Sequence, residues 1–368
     1  NVRTVHFAGA TFPYSTRRFL FAYPAERQEC LFDAIERVYQ QAGGLSERVT
    51  LDNTPLAVAK VLKGRRREET TEYNRFRGLL GIRPRYTNRA AGWEKGHVEG
   101  TVGWAKRQHL LDLETSGWEE LWEVLEEGCE EDARERRHGE SGKFVKELFE
   151  EERQLLRPFP YEGKRSYRRV RAQVSPGGLV HADGSRYSVP VGLRGRFVRL
   201  HLFWNEVVAT FDRQEVARHP RDWTGRGEHY QVEHYLELLK RAPALLDHGK
   251  PFTRMPDWLQ ETRRAMADDK SLVELLLAVD TGQYTFEELE GASREALRSG
   301  CVKRAVIEQR ALASRSDSGE RAELEREECG ELGRHHFSVE SPEIYNAILN
   351  TGSKAKESAE DRAEEEVA

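Results

Sequence analysis

Arg48-Val49-Thr50-Leu51-Asp52-Asn53 is the stretch on which the fold turns. Val49, Thr50 and Leu51 suit a short, half-buried strand, and the chain runs from them directly into an acid. Upstream, Val2 to Ala10 and Arg18 to Ala22 read as two further strands, separated by the turn-prone Pro13-Tyr14-Ser15-Thr16. Between them and residue 48 a helical stretch is predicted from Pro24, with Leu31, Ile35, Val38 and Tyr39 at helical spacing and Gly43-Gly44 as its stop. Strand, strand, helix, strand is an α/β order, and such sheets commonly present functional groups at strand ends. Asp52 stands at such an end.

Further along, a helix is predicted from Glu69 to Leu80, ended by Gly81, and a short strand from Ile82 to Tyr86. Trp93 to Leu111 reads as a helix despite Gly96, Gly100 and Gly103. Each glycine costs about 1 kcal/mol relative to alanine, which is sensible where a backbone or ligand must come close. Trp118 to Glu152 is acidic and predicted helical, and Arg157-Pro158-Phe159-Pro160-Tyr161 reads as a linker. Short strands then follow at Arg169 to Val174, Leu179 to Ala182, Arg186 to Pro190, Phe197 to Phe203 and Val207 to Phe211. Asp183-Gly184 and Trp204-Asn205-Glu206 are their turns, and the set suggests a small barrel. After Arg226 the pattern is helical to about Ala313, then polar, acidic and expected to be disordered.

Composition narrows the class. The 368 residues are 38% hydrophobic and 33% charged, polar for a globular chain and enough for two or three domains. No apolar run is long enough to span a bilayer, and no signal-peptide pattern opens the sequence. The first residue is Asn1, so the sequence is expected to begin inside a longer reading frame or after processing. Cys30, Cys129, Cys301 and Cys329 lie far apart, which suggests neither a zinc site nor a disulfide framework and favours a reducing cytoplasm.

The net charge of -5 hides a segregation. From Lys60 to Arg107 thirteen lysines and arginines face only Glu68, Glu69, Glu72, Glu94 and Glu99, whereas Glu114 to Glu152 and Glu357 to Glu366 are acidic. A local basic block in an acidic protein suits a polyanionic partner, although a single charge run is more often a solvated surface.

Two carboxylates, Asp52 at a strand end and Glu99 on a helix, have the hard-oxygen chemistry that binds Mg2+. Paired metal ions at such a site activate a water or hydroxyl and stabilise the leaving oxygen in phosphoryl transfer. Lys106 lies two turns beyond Glu99 with Arg107 beside it, where basic groups can hold a phosphate backbone. By spacing alone, Asp52-Asn53 before Thr54-Pro55 equally fits a turn or helix cap, and Glu99 a solvated helix position. The histidines, His335-His336 included, lack partners at metal-ligand spacing, and no Walker-type loop or serine or cysteine nucleophile motif is present.

Several stretches, in order, resemble the IstA-type transposases of two-gene bacterial insertion sequences. They are Phe21-Ala22-Tyr23-Pro24-Ala25-Glu26-Arg27-Gln28-Glu29, then Val49-Thr50-Leu51-Asp52-Asn53 with Val58 to Arg65, and Glu94-Lys95-Gly96-His97-Val98-Glu99-Gly100. Further on, Asp183-Gly184-Ser185-Arg186-Tyr187-Ser188-Val189-Pro190 resembles a strand pair of the small barrel in these enzymes and in phage Mu-like transposases. His234-Tyr235-Leu236-Glu237-Leu238-Leu239 resembles a helix that follows it. Together these cover roughly residues 1 to 250.

The resemblance implies an α/β ribonuclease-H-like core of the retroviral-integrase type, then a small all-β barrel and a helical C-terminal region. The expected segments are a core at 1–130 lacking its first strand, a helical linker at 131–164, the barrel at 165–220, helices at 221–313 and an acidic tail at 314–368. By resemblance, Asp52 and Glu99 are catalytic metal ligands for two Mg2+ ions that join transposon 3′ ends to target DNA. Lys63, Arg65, Arg66, Lys106 and Arg107 are candidate phosphate contacts, and Arg165, Arg168, Arg169 and Arg171 form a basic barrel flank that adds to DNA binding. A partner AAA+ ATPase, a homo-oligomer on DNA, and a cytoplasmic, nucleoid-associated bacterial location are implied too. The family needs a first aspartate on an upstream strand, and no acidic residue precedes Glu26 here. The sequence therefore reads as N-terminally truncated, and a catalytically inactive DNA-binding or assembly protein derived from a transposase is the alternative.

Overall fold

The computed structural model describes residues 4–51, 54–61, 67–86, 101, 103–104, 115–160 and 166–318. They fall into two units, Asn1–Gly282 and Gln283–Ala368.

The first unit is mixed α/β. Strands β1 (His6–Thr11) and β2 (Arg18–Tyr23) form an antiparallel hairpin, in register from His6↔Tyr23 to Thr11↔Arg18. The turn between them carries Thr16 at φ 58° and tucks Arg17 into the interior. There the Arg17 guanidinium donates to the Cys129 carbonyl and to Glu130, and lies 5.0 Å over the Phe19 ring. Helix α1 (Gln28–Ala42) starts at Gln28, later than Pro24 suggested, because Pro24 and Ala25 lie in a bend that precedes it. It stops at Gly43, whose φ of 82° suits a residue without a Cβ.

Strand β3 (Arg48–Leu51) pairs in parallel with β6 (Arg83–Tyr86), and the chain between them makes a connection longer than a single helix. It contains an antiparallel pair missed in the sequence, β4 (Val58–Val61) with β5 (Arg67–Glu69), and helix α2 (Thr71–Leu80). The Thr70 hydroxyl caps α2 by accepting from the Tyr73 N–H at 3.3 Å, and Gly81 ends it at φ 65°. Phe32 of α1 stacks on Phe76 of α2 with centroids 4.5 Å apart, so the two helices share one core.

The single helix predicted from Trp118 to Glu152 is two: α3 (Trp118–Glu135) and α4 (Val145–Arg153). Gly139, Ser141 and Gly142, the last at φ 68°, break the pattern between them. Helix α3 packs on the hairpin, where Trp122 Nε1 donates to the Ala22 carbonyl at 2.8 Å.

Among the described residues the β region has seven strands: β7 (Arg168–Gln173), β8 (Leu179–Ala182), β9 (Ser185–Ser188), β10 (Phe197–Leu202), β11 (Glu206–Phe211), β12 (Gln214–Pro220) and β13 (Glu228–His229). They form a four-stranded sheet in the order β12-β11-β10-β7 and a three-stranded sheet in the order β13-β9-β8. Both sheets turn apolar side chains into one core that includes Val180, Tyr187, Val198, Leu200, Leu202 and Val207. The expected Asp183-Gly184 turn is present with φ 47° and 92°, the backbone of a tight I′ hairpin. A Cβ on Gly184 would lie 2.4 Å from the Gly225 carbonyl oxygen, so the site is closed to a larger residue.

Two devices weld this β region to the α/β region. Trp204 lies in the β10–β11 turn, as expected, and its ring, 4.6 Å from Trp122 and 5.9 Å from Tyr23 between centroids, is buried in the core of the α/β region. Beside it is a buried charge cluster. Glu29 of α1 accepts from Arg168 at 2.9 Å and from Arg221 at 2.9 Å, and both arginines also reach Asp183. Glu29 is wholly buried and the Arg221 side chain is 1% exposed, so each charge depends on the others. The first unit continues through short helices to α9 (Asp269–Asp280), after α5 (Leu236–Arg241), α6 (Leu245–His248), α7 (Lys250–Thr253) and α8 (Asp257–Ala265).

In the second unit α10 (Phe286–Arg298) opens on a capping box of Thr285 and Glu288, and packs with α11 (Arg304–Ser318).

Candidate nucleic-acid interface

Seven of the expected site residues, Asp52, Glu99, Lys63, Arg65, Arg66, Lys106 and Arg107, lie outside the described residues. Arg165 does too. The rest of the basic flank sits on β7, whose alternation splits it. Arg168 turns inward to Glu29 and Asp183, while Arg169 and Arg171 stand on the outer face.

The β7–β10 register then makes the site. Arg171 is directly opposite Arg199, and Arg169 is directly opposite His201. Like charges facing each other across a strand pair destabilise a sheet. Neither Arg171 nor Arg199 has a carboxylate within ion-pair distance among the described residues. The Arg171 guanidinium lies 4.1 Å over the ring of Phe197, which is 49% exposed at the start of β10. Arg169 reaches Glu72 of α2 at 3.5 Å.

The other half of the sheet is slightly acidic on this face. Across β11 the face shows Val208 and Thr210, and on β12 Arg218 is held by Glu206 and Glu215, each at 2.7 Å. Positive charge is therefore concentrated along β7 and β10.

Aromatic rings border that strip. Tyr167 stacks on His201 with centroids 4.2 Å apart and planes 18° from parallel, and Arg75 of α2 lies 5.0 Å over the Tyr167 ring. Burial, then Arg75, Arg169 and Arg199, lower the His201 pKa below the ordinary histidine value. A basic strip on which Arg171 and Arg199 have no ion-pair partner among the described residues, interleaved with rings, suits a phosphate backbone, to which it offers both charge and stacking surface.

A second group of polar side chains holds the β region together. Asp222 accepts from Ser185 Oγ at 2.7 Å, from the Gly227 N–H at 2.9 Å and from His229 Nε2 at 3.1 Å. Burial opposes its charge, but these hydrogen bonds and those from Thr224 hold the carboxyl well below the usual range. His219 Nε2 donates to the Ser188 carbonyl at 2.7 Å, and the Ser188 hydroxyl meets His234 Nδ1 at 2.7 Å. The Gln231 N–H also donates to the Ser188 hydroxyl, and the group is buried. These bonds brace the β region. Burial pushes His219 down to about 4 and His234 down to about 3.

The sequence pattern singled out Arg169 and Arg171, but not Arg199 and His201. Their signal is alternation within β10, yet only the pairing with β7 shows what they face.

Residues 158–231, which span β7 to β13, match the family model described as Mu transposase, C-terminal domain. Over 314 residues the chain is 30% identical to a transposase of Aminobacter aminovorans, covering 82% of this chain and 61% of that protein. It is 29% identical to the Pseudomonas aeruginosa transposase for insertion sequences IS1326/IS1353, over 71% of this chain and 53% of that protein. It is 25% identical to the transposase for insertion sequence element IS21 from Pseudomonas aeruginosa, over 65% of this chain and 61% of that protein. The chain thus spans between half and two thirds of the length of these relatives. A chain of the simian T-cell lymphotropic virus intasome, in complex with PP2A regulatory subunit B56 gamma, overlays 59% of this chain and 76% of its own. With a TM-score of 0.30 and 12% identity, that overlay carries no weight for the fold. The sequence likeness does, and by it the chain belongs to the insertion-sequence transposases, in the group that includes those of IS21 and IS1326/IS1353.

Proposed function

We infer that this chain takes part in DNA transposition, gripping DNA on the β7–β10 strip while the intact transposase joins element ends to target DNA. The observation that carries this reading is the cross-strand pair Arg171 and Arg199, set against each other on an open face without a carboxylate among the described residues. That arrangement is unfavourable alone and favourable against a polyanion. The strip lies inside the segment that matches the Mu transposase family model.

The chemistry is assigned to Asp52 and Glu99 as ligands of Mg2+. When bound, a pair of such ions activates a hydroxyl and stabilises the leaving oxygen in phosphoryl transfer. Asp52 follows Leu51, the last residue of β3, in the parallel pair β3–β6. The hairpin β1–β2, helix α1 and that parallel pair support a ribonuclease-H-like core of the integrase type. Lys63, Arg65, Arg66, Lys106 and Arg107 are assigned to the phosphates near the metals. An oligomer on DNA and a partner AAA+ ATPase complete the reading, as does a cytoplasmic, nucleoid-associated location. Among the described residues no helix is long and apolar enough to cross a membrane.

The test is binding of a labelled duplex by the 368-residue chain and by its Arg171→Glu, Arg199→Glu variant, with melting to check that each is folded. Charge reversal on the strip should abolish binding at moderate salt. Undiminished binding would remove the strip from the interface.

A further inference from the structure

Resting on that reading of the β7–β10 strip, we propose that His201 is itself a phosphate contact and takes up a proton when DNA binds, so that the grip tightens as pH falls.

Geometry carries the argument. His201 lies on the outer face of β10, two residues beyond Arg199 and directly opposite Arg169, at the centre of the basic strip. Its ring is held flat against Tyr167 at 4.2 Å, so its orientation is set before any ligand arrives. Among the described residues, its ring nitrogens have no hydrogen-bond partner. Every element packed around it presents a definable group. β7 presents Arg169 and Arg171, and β10 presents Arg199. β11 places Val208 opposite. α2 presents Arg75 and Glu72, but Glu72 already pairs with Arg75 at 3.0 Å and with Arg169 at 3.5 Å. From β12 comes Glu215, which is engaged by Arg218. Among the described residues no carboxylate is therefore left to hold an imidazolium.

In the free protein the half-buried ring among arginines stays neutral near pH 7. A phosphodiester laid across Arg171 and Arg199 reverses the local charge, which favours the imidazolium and gives it an N–H to donate to a phosphate oxygen. Binding then takes up a proton wherever the pH lies between the free and bound values of this histidine. Linkage makes affinity rise as pH falls across that interval, by at most roughly tenfold per pH unit, and leaves it flat above the bound value. The free value lies below the ordinary histidine value, so the rise ends below about pH 6.5.

The experiment measures binding of a rhodamine-labelled duplex of about 30 base pairs by fluorescence anisotropy at fixed salt, from about pH 8 down to about pH 6. The wild-type chain, His201→Gln and the pair Arg171→Gln, Arg199→Gln are compared. The wild type should tighten several-fold on acidification. His201→Gln should lose most of that change. A wild type without pH dependence, or a His201→Gln chain with the full wild-type slope, overturns the proton uptake and leaves the strip standing. If the double arginine variant binds like the wild type, the strip itself fails. Should His201→Gln misfold on melting, the His201 ring of the wild type, followed by NMR with and without duplex, decides the matter. Its titration should move up with DNA, and an unmoved titration refutes the proposal.

Discussion

Replacing Arg171 and Arg199 together by glutamine should push stability and DNA affinity in opposite directions. The two guanidinium groups face each other across β7 and β10, both are exposed, and neither has an acidic partner among the described residues. A like-charge cross-strand pair costs about 0.2–1 kcal/mol, and solvent screening keeps an exposed pair at the lower end. Removing both charges should therefore raise the melting temperature slightly, by about 1–2 °C for a unit of this size. Binding responds with the opposite sign. If each arginine neutralises one duplex phosphate, deleting two lowers the slope of log affinity against log salt by about 1.8. Between about 50 and 200 mM salt the wild type should then lose roughly tenfold more affinity than the variant. Differential scanning fluorimetry reads the first effect and anisotropy across a salt series the second. A lower melting temperature would mean that the arginines pack rather than repel. An unchanged salt slope would mean that they do not meet phosphate.

Other consequences follow from the same geometry. His219 and His234 are buried neutral, with pKa values pushed to about 4 and about 3, so the unfolded chain binds protons that the folded chain refuses. Their contribution to stability is fully present above about pH 6.5. It should be lost as pH falls from there toward about 4, by about 1.4 kcal/mol per histidine for each pH unit crossed. Melts across that range test this, and a flat melting temperature would contradict it. Trp204→Ala empties a buried slot between Tyr23 and Trp122 and should cost about 3–5 kcal/mol by urea denaturation. A loss below about 1 kcal/mol would show that the ring is not a weld. Arg221→Met strips Glu29 of one of its two cations and should destabilise by about 3–5 kcal/mol, unless Glu29→Gln is added to relieve the uncompensated charge. In the intact transposase, Asp52→Asn or Glu99→Gln should abolish strand joining and leave duplex affinity within about twofold, since neither is assigned to the strip.

Local signals were legible where a residue's own stereochemistry decides the outcome. Gly43 and Gly81 ended their helices as expected, because each adopts a positive φ. Asp183-Gly184 made its tight turn for the same reason. The five expected strands of the β region appear within one or two residues of their predicted limits. Strand β12 was missed because Gln214 to Pro220 is charged and ends in proline. The turn before it, Asp212-Arg213, takes φ of 48° and 70° without a glycine to announce it. β4 and β5 escaped for a related reason: their segment read as a basic run.

Tertiary roles were harder still. Trp204 looked like a turn residue, and only packing against another region makes it a core residue. Arg168 and Arg169 are neighbours in sequence, yet strand alternation sends one to Glu29 and the other to the surface. The pairing of Arg171 with Arg199 joins strands separated by β8 and β9, so no local pattern can reveal it. The metal-ligand assignment rests on resemblance, because Asp52 and Glu99 lie outside the described residues.

The central claim, that DNA lies on the β7–β10 strip, is tested most directly by photocrosslinking. p-Benzoylphenylalanine in place of Phe197 puts a reactive ring beside Arg171, and the same group in place of Leu155, 84% exposed and outside strands β7 and β10, serves as control. The account predicts that irradiation with a labelled duplex yields a covalent adduct from position 197 and little from position 155. Equal labelling at both positions, or adducts from 155 alone, would contradict it.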